Sequence, residues 1–117
     1  MRIAVACDKD QIAEKFGHAT AFKIYETDKN NALKWGRVIG VANMEEHEER
    51  ANFLRATGVS TLICDGICKK GRKAVGAAGI TFFGGVKGDP DEAVNAWLAG
   101  TLQYETDVDQ LDCKHDE

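Results

Sequence analysis

Four cysteines and three histidines carry most of the chemistry open to this chain of 117 residues. Cys64 and Cys68 lie in the run Cys64-Asp65-Gly66-Ile67-Cys68, where an apolar segment gives way to a helix pattern. A helix N-terminus offers unpaired N–H groups and a positive dipole end, and both favour thiolate over thiol. Thiolate is the form that binds iron or copper. The spacing is not the C-x-x-C of common zinc and redox sites, so position, more than motif, points to a metal. Cys7 ends the first apolar run; it and Cys64 equally suit buried core positions, where free cysteine is common. His18 follows Phe16-Gly17 in the loop after that run and could ligate through a ring nitrogen. His47 falls near the start of a helix, on its inner stripe, and reads as a partly buried structural residue. Cys113 and His115 could scavenge metal from a C-terminal tail, or belong to a tail with no role.

Lys69, Lys70, Arg72 and Lys73 form a basic run on the outer face of a helix, and Lys15 stands just before Phe16. Sulfide-rich clusters are often anionic, so positive charge near a binding crevice would help to hold one. The bland alternative is a solvated helix face. Gly84-Gly85-Val86-Lys87-Gly88 is glycine-rich but lacks the Walker and dinucleotide spacings. Asp8 and Asp65 follow strand patterns while the third strand offers no acid, so no two-metal carboxylate site is visible. No histidine stands by sequence next to a candidate nucleophile, so no catalytic triad can be argued. The expectation is a binding protein and not an enzyme.

The elements that must position these residues are readable in order. Residues 3–7 form a short apolar run, a candidate buried strand. Residues 21–27 alternate, Asp28-Lys29-Asn30-Asn31 is turn chemistry, and residues 33–42 give a third strand, so these two make a hairpin. Asn43 is the expected N-cap of a helix whose first turns hold Glu45, Glu46, Glu48 and Glu49 and whose stripe is His47, Ala51 and Leu54. Gly58 stops it. A strand over residues 60–64, a helix over about residues 67–78 and a strand over residues 80–83 follow. Asp89-Pro90 is an N-cap with proline at the first helical position, and the helix stops at Gly100. The order β-β-β-α-β-α-β-α predicts a three-layer α/β domain with a five-stranded mixed sheet and helices on both faces. It spans residues 1–104, and residues 105–117 read as an acidic, flexible tail.

Length suits one domain with a core of its own. Hydrophobic residues make up 44% and charged residues 29%, as in ordinary globular proteins. No apolar run approaches the roughly 20 residues of a membrane span. The start of the chain shows no secretory signal, so the cytoplasm is the expected location. The net charge of −4 argues against a nucleic-acid partner.

The run Ile3-Ala4-Val5-Ala6-Cys7-Asp8, the loop Phe16-Gly17-His18-Ala19 and the strand Phe22-Lys23-Ile24-Tyr25-Glu26 resemble the dinitrogenase iron–molybdenum cofactor biosynthesis family. So does the segment from Gly58 through Cys64-Asp65-Gly66-Ile67 to Ala78-Gly79-Ile80. The resemblance runs nearly to Gly100. It implies a ribonuclease H-like fold and a carrier or chaperone of an iron–sulfur or iron–molybdenum–sulfur cluster, exchanging it with donor and acceptor proteins. Two positions depart from the family. Lys15 stands where the family often has a cofactor-contacting histidine before Phe-Gly, and Cys68 stands where it tends to have glycine. In the implied fold the first strand is central and lies beside the fourth, so Cys7 would face the same crevice as Cys64. The expected ligand set is Cys64, Cys68 and His18 on metal, with Cys7 and Lys15 as further cofactor contacts. The alternative is a cysteine-based redox or regulatory protein without a permanent cofactor.

Overall fold

The computed structural model describes residues 1–105. Its centre is a mixed sheet. The first strand, Arg2–Asp8 (β1), is buried on both faces from Ile3 to Cys7, as its unbroken apolar run requires. A two-residue strand, Gln11–Ile12 (β2), folds back on the end of β1. The hairpin of Ala21–Thr27 (β3) and Leu33–Gly40 (β4) forms around Asp28, whose carboxylate accepts from the amides of Asn30 and Ala32. Next come the helix His47–Ala56 (α1), the strand Val59–Ile63 (β5), the helix Lys69–Ala77 (α2), the strand Thr81–Phe83 (β6) and the helix Pro90–Ala99 (α3).

The strand order is β4-β3-β1-β5-β6, with β2 paired to β1 off this path. β1 runs antiparallel to β3 and parallel to β5, and β5 runs parallel to β6. The first strand is therefore central and beside the fourth of the expected strands. The sheet has six strands and not five, because β2 is too short to leave a periodic trace. It exists because Ala13 N donates to Ala6 O and Ile12 N to Gly88 O.

Two helices cover one face and one covers the other. Ala51 and Leu54 of α1 and Ala74 and Val75 of α2 pack with Ala4, Ala6, Leu62 and Cys64. Ala93 and Val94 of α3 pack with Ile3, Val5, Cys7 and Ile63 on the opposite face. α3 starts and stops as its sequence dictates: the Asp89 carboxylate accepts from Glu92 N, and Gly100 takes the left-handed conformation that ends the helix. α1 starts later than expected, at His47 with Glu46 as N-cap and not at Asn43. The carbonyls of Val41 and Met44 are bound by the Arg50 side chain instead, which holds this stretch outside the helix. The folded body also extends past Tyr104: Glu105 N donates to Gly84 O at 2.8 Å. The remainder of the expected tail, with Cys113 and His115, lies outside the described residues.

Candidate functional site at the loops after β1 and β5

Parallel strands deliver their following loops to one edge of the sheet, where α/β folds open their crevices. Here β1 leads to a 3-10 turn over Phe16–His18, and β5 leads through Cys64 to Cys68 into α2. Backbone bonds join the two loops. Phe16 N donates to Gly66 O and Gly66 N to Glu14 O, both at 2.8 Å, so Lys15 and Gly66 pair as a short parallel bridge. From the other side Gly85 N donates to Asp65 O, and Lys87 reaches the Asp65 carboxylate at 2.7 Å. The segment carrying both cysteines is thus held between two neighbouring loops.

Arg50 organises the first loop from beneath. Its side chain is buried and binds four backbone carbonyls: Phe16 at 3.1 Å, Ala19 at 2.8 Å, Met44 at 2.8 Å and Val41 at 3.3 Å. Burial holds its pKa below the ordinary arginine value. The dipoles of these carbonyls offset its charge.

His47 and Cys68 meet above it. The His47 Nε2 stands 3.3 Å from the Cys68 Sγ, linking the first residue of α1 to the N-cap of α2. Phe16 stacks on the imidazole with centroids 6.3 Å apart and planes at 25°, and Phe22 stacks on Phe16 in turn. Two glycines make the close approach possible. A Cβ on Gly17 would stand 2.7 Å from Nε2, and one on Gly71 would meet Ile67 at 2.9 Å and His47 at 3.3 Å. His47 also lines a groove of about 560 Å³ between α1 and α2, flanked by Lys70 and Lys73 from one helix and Glu46 and Glu48 from the other.

The expected site residues fall into separate places. His18 and Lys15 share a second cavity of about 470 Å³ with Asp8, Gln11 and Glu14. His18 is exposed and Lys15 half-buried. Cys64 is fully enclosed in the core under α1 and α2, and burial, with the Asp65 carboxylate adding to it, pushes its thiol up to about 12. Cys7 is buried on the α3 face, and burial pushes its thiol up to about 11. Convergence of Cys7 and Cys64 on one crevice is therefore not met, because the sheet lies between them. Among the described residues no group of three or more His, Cys, Asp and Glu side chains is placed to hold a metal ion.

Two further residues join the site. His47 is half-buried, in keeping with its reading as a partly buried structural residue, and the fold also places it against Cys68, a pairing that no local spacing shows. Arg50 carried no expectation, although it lies three residues after His47 and four before Leu54, on the buried stripe of α1. A charged residue at such a position was the available signal.

Solved structures resemble this architecture over most of its length. The chain superposes on the crystal structure of PH0822 with a TM-score of 0.81 at 21% identity, covering 92% of this chain and 99% of that one. A Methanocaldococcus jannaschii protein provisionally described as a dinitrogenase gives a TM-score of 0.71 at 22% identity, covering 91% and 95%. The apo form of the orange protein from Desulfovibrio gigas gives 0.69 at 22% identity, covering 90% and 92%. These likenesses show the fold. No curated protein matches the sequence. No helix among the described residues is long and apolar enough to cross a membrane. The family described as dinitrogenase iron-molybdenum cofactor matches residues 1–100, which take in both loops of the site, and the chain belongs to that family.

Proposed function

We propose that this protein carries an iron–sulfur or iron–molybdenum–sulfur cluster as cargo between a donor and an acceptor protein in the cytoplasm. The cluster docks where the loops after β1 and β5 meet. The observation that carries the reading is the pairing of Lys15 with Gly66, which sets the Phe16-Gly17-His18 turn against the cysteine segment. Cys68 is the first sulfur ligand. Cys64 lies behind it and comes into play if the 64–68 turn opens, His18 approaches from the exposed side of its loop, and Lys15 supplies positive charge. Cys7, across the sheet, has the weakest claim. In this reading the chain turns over no substrate. Family membership over residues 1–100 supports a role in cofactor assembly.

The alternative, a reversible Cys64–Cys68 disulfide, has less support, because the enclosed Cys64 thiol is hard to ionise. Anaerobic reconstitution with iron and sulfide tests the proposal. Bound iron and acid-labile sulfide are expected in stoichiometric ratio in wild type, and reduced in Cys68→Ala with the melting temperature nearly kept. Colourless protein holding neither iron nor sulfide overturns it.

A further inference from the structure

We propose that Cys68 and His47 form a sulfur–nitrogen seat for one thiophilic metal atom, with His47 as the partner of Cys68 on that atom and Cys64 and His18 left to other atoms of the cargo. The identity of the cargo rests on the carriage reading; the seat itself is a property of these two side chains.

The first argument is distance. A metal atom bound at about 2.3 Å to a thiolate and about 2.0 to 2.1 Å to an imidazole nitrogen separates the two by about 3.3 Å when the bond angle is about 100°. The Cys68 Sγ and His47 Nε2 already stand 3.3 Å apart. One atom can therefore bind both with little movement of either helix. On binding, the thiol proton passes to solvent as the metal–sulfur bond forms, His47 binds through an unprotonated Nε2, and no electron changes hands.

The second argument is close approach. Gly17 lets the turn after β1 lie against the imidazole, since a Cβ there would stand 2.7 Å from Nε2. The third is preorganisation. Phe16 stacks on the imidazole, its carbonyl is bound by Arg50 from α1, and its amide is bound to Gly66, two residues before Cys68. One turn thus fixes both ligand-bearing elements relative to each other, which lowers the cost of assembling the site on binding. The fourth is approach. His47 lines the groove between α1 and α2, where Lys70 and Lys73 face Glu46 and Glu48, and the buried Cys68 Sγ stands 3.3 Å from its Nε2; Cys64 does not line that groove.

Anaerobic titration with Co²⁺ alone tests the seat without the cluster. Wild type and Cys64→Ser should both show thiolate-to-cobalt charge-transfer absorption, Cys68→Ser should lose it, and His47→Gln should weaken cobalt binding at least tenfold. Proton NMR of the wild-type cobalt form should show a hyperfine-shifted exchangeable imidazole N–H that survives in His18→Gln. That measurement needs no folded His47 variant. Loss of the charge-transfer band in Cys64→Ser, loss of the imidazole signal in His18→Gln, or absence of that signal in wild type overturns the proposal. Cobalt seated as expected with no iron–sulfur reconstitution would sink cluster carriage and leave the seat standing. Reconstitution unaffected by His47→Gln would do the reverse.

Discussion

Arg50 donates from one guanidinium nitrogen to the carbonyl of Phe16 at 3.1 Å, joining residues 34 positions apart. The same nitrogen binds Ala19 at 2.8 Å, so a single α1 side chain shapes the turn that carries Phe16, Gly17 and His18. Replacing it by Ala removes the side-chain donor from the carbonyls of Ala19 and Met44, while Phe16 O keeps Ala19 N and Val41 O keeps Met44 N, so two acceptors lose their side-chain partner and two are weakened. Arg50→Ala is expected to lower unfolding free energy by about 3 kcal/mol, read from urea denaturation. A loss within about 0.5 kcal/mol, the range of ordinary surface substitutions, would show that the turn holds itself.

Gly17→Ala should act through a clash and not through backbone strain, because only its Cβ is excluded, by His47 Nε2 at 2.7 Å. Overpacking of this kind costs about 1 to 3 kcal/mol. The melting temperature should fall, and the His47 ring resonances should shift as the imidazole leaves Cys68. An unchanged His47 spectrum would contradict the placement.

The buried thiols make stability fall at alkaline pH. Cys7 and Cys64 have folded values raised to about 11 and about 12 from an ordinary 9.0. Below pH 9 both states keep the thiols protonated and no stability is lost. Above it the unfolded chain ionises first, so unfolding is favoured progressively up to the folded values, at no more than about 1.4 kcal/mol per pH unit per thiol. Tyr25, raised by burial and by the neighbouring Asp91, adds in the same direction. Comparing urea midpoints at pH 7.5 and 10.5 should show a smaller alkaline loss in Cys7→Ala/Cys64→Ala than in wild type. Equal losses would mean that these thiols are not enclosed.

Truncation after Glu105 should keep a cooperative melt. Tyr104 packs edge-on against Phe83 at 4.9 Å and Glu105 bonds Gly84, while the residues beyond offer few apolar groups to bury. Cutting before Tyr104 removes that packing and should lower the melting temperature. An insoluble or molten product of the longer truncation would show that the last twelve residues contribute to the core.

Local patterns determined the elements of this protein. The apolar run of β1, the turn at Asp28, Gly58, and the pair Asp89-Pro90 with Gly100 each act within a few residues, so they are legible in one dimension. The expected α/β architecture follows from their order, and the family resemblance adds the position of β1 beside β5. Only tertiary structure decided which groups meet. Whether Cys7 and Cys64 share a face depends on register: Val5 pairs with Ile63, which puts Cys7 with Ile63 on one face and Cys64 on the other. A shift of one residue would reverse that, because side chains alternate with a period of two. His47 meets Cys68 across 21 positions, and Arg50 finds its carbonyls up to 34 away, through the packing of α1 on α2 and on the turn after β1. Such contacts leave no periodic signal in the chain, because they are set by how its elements are laid together.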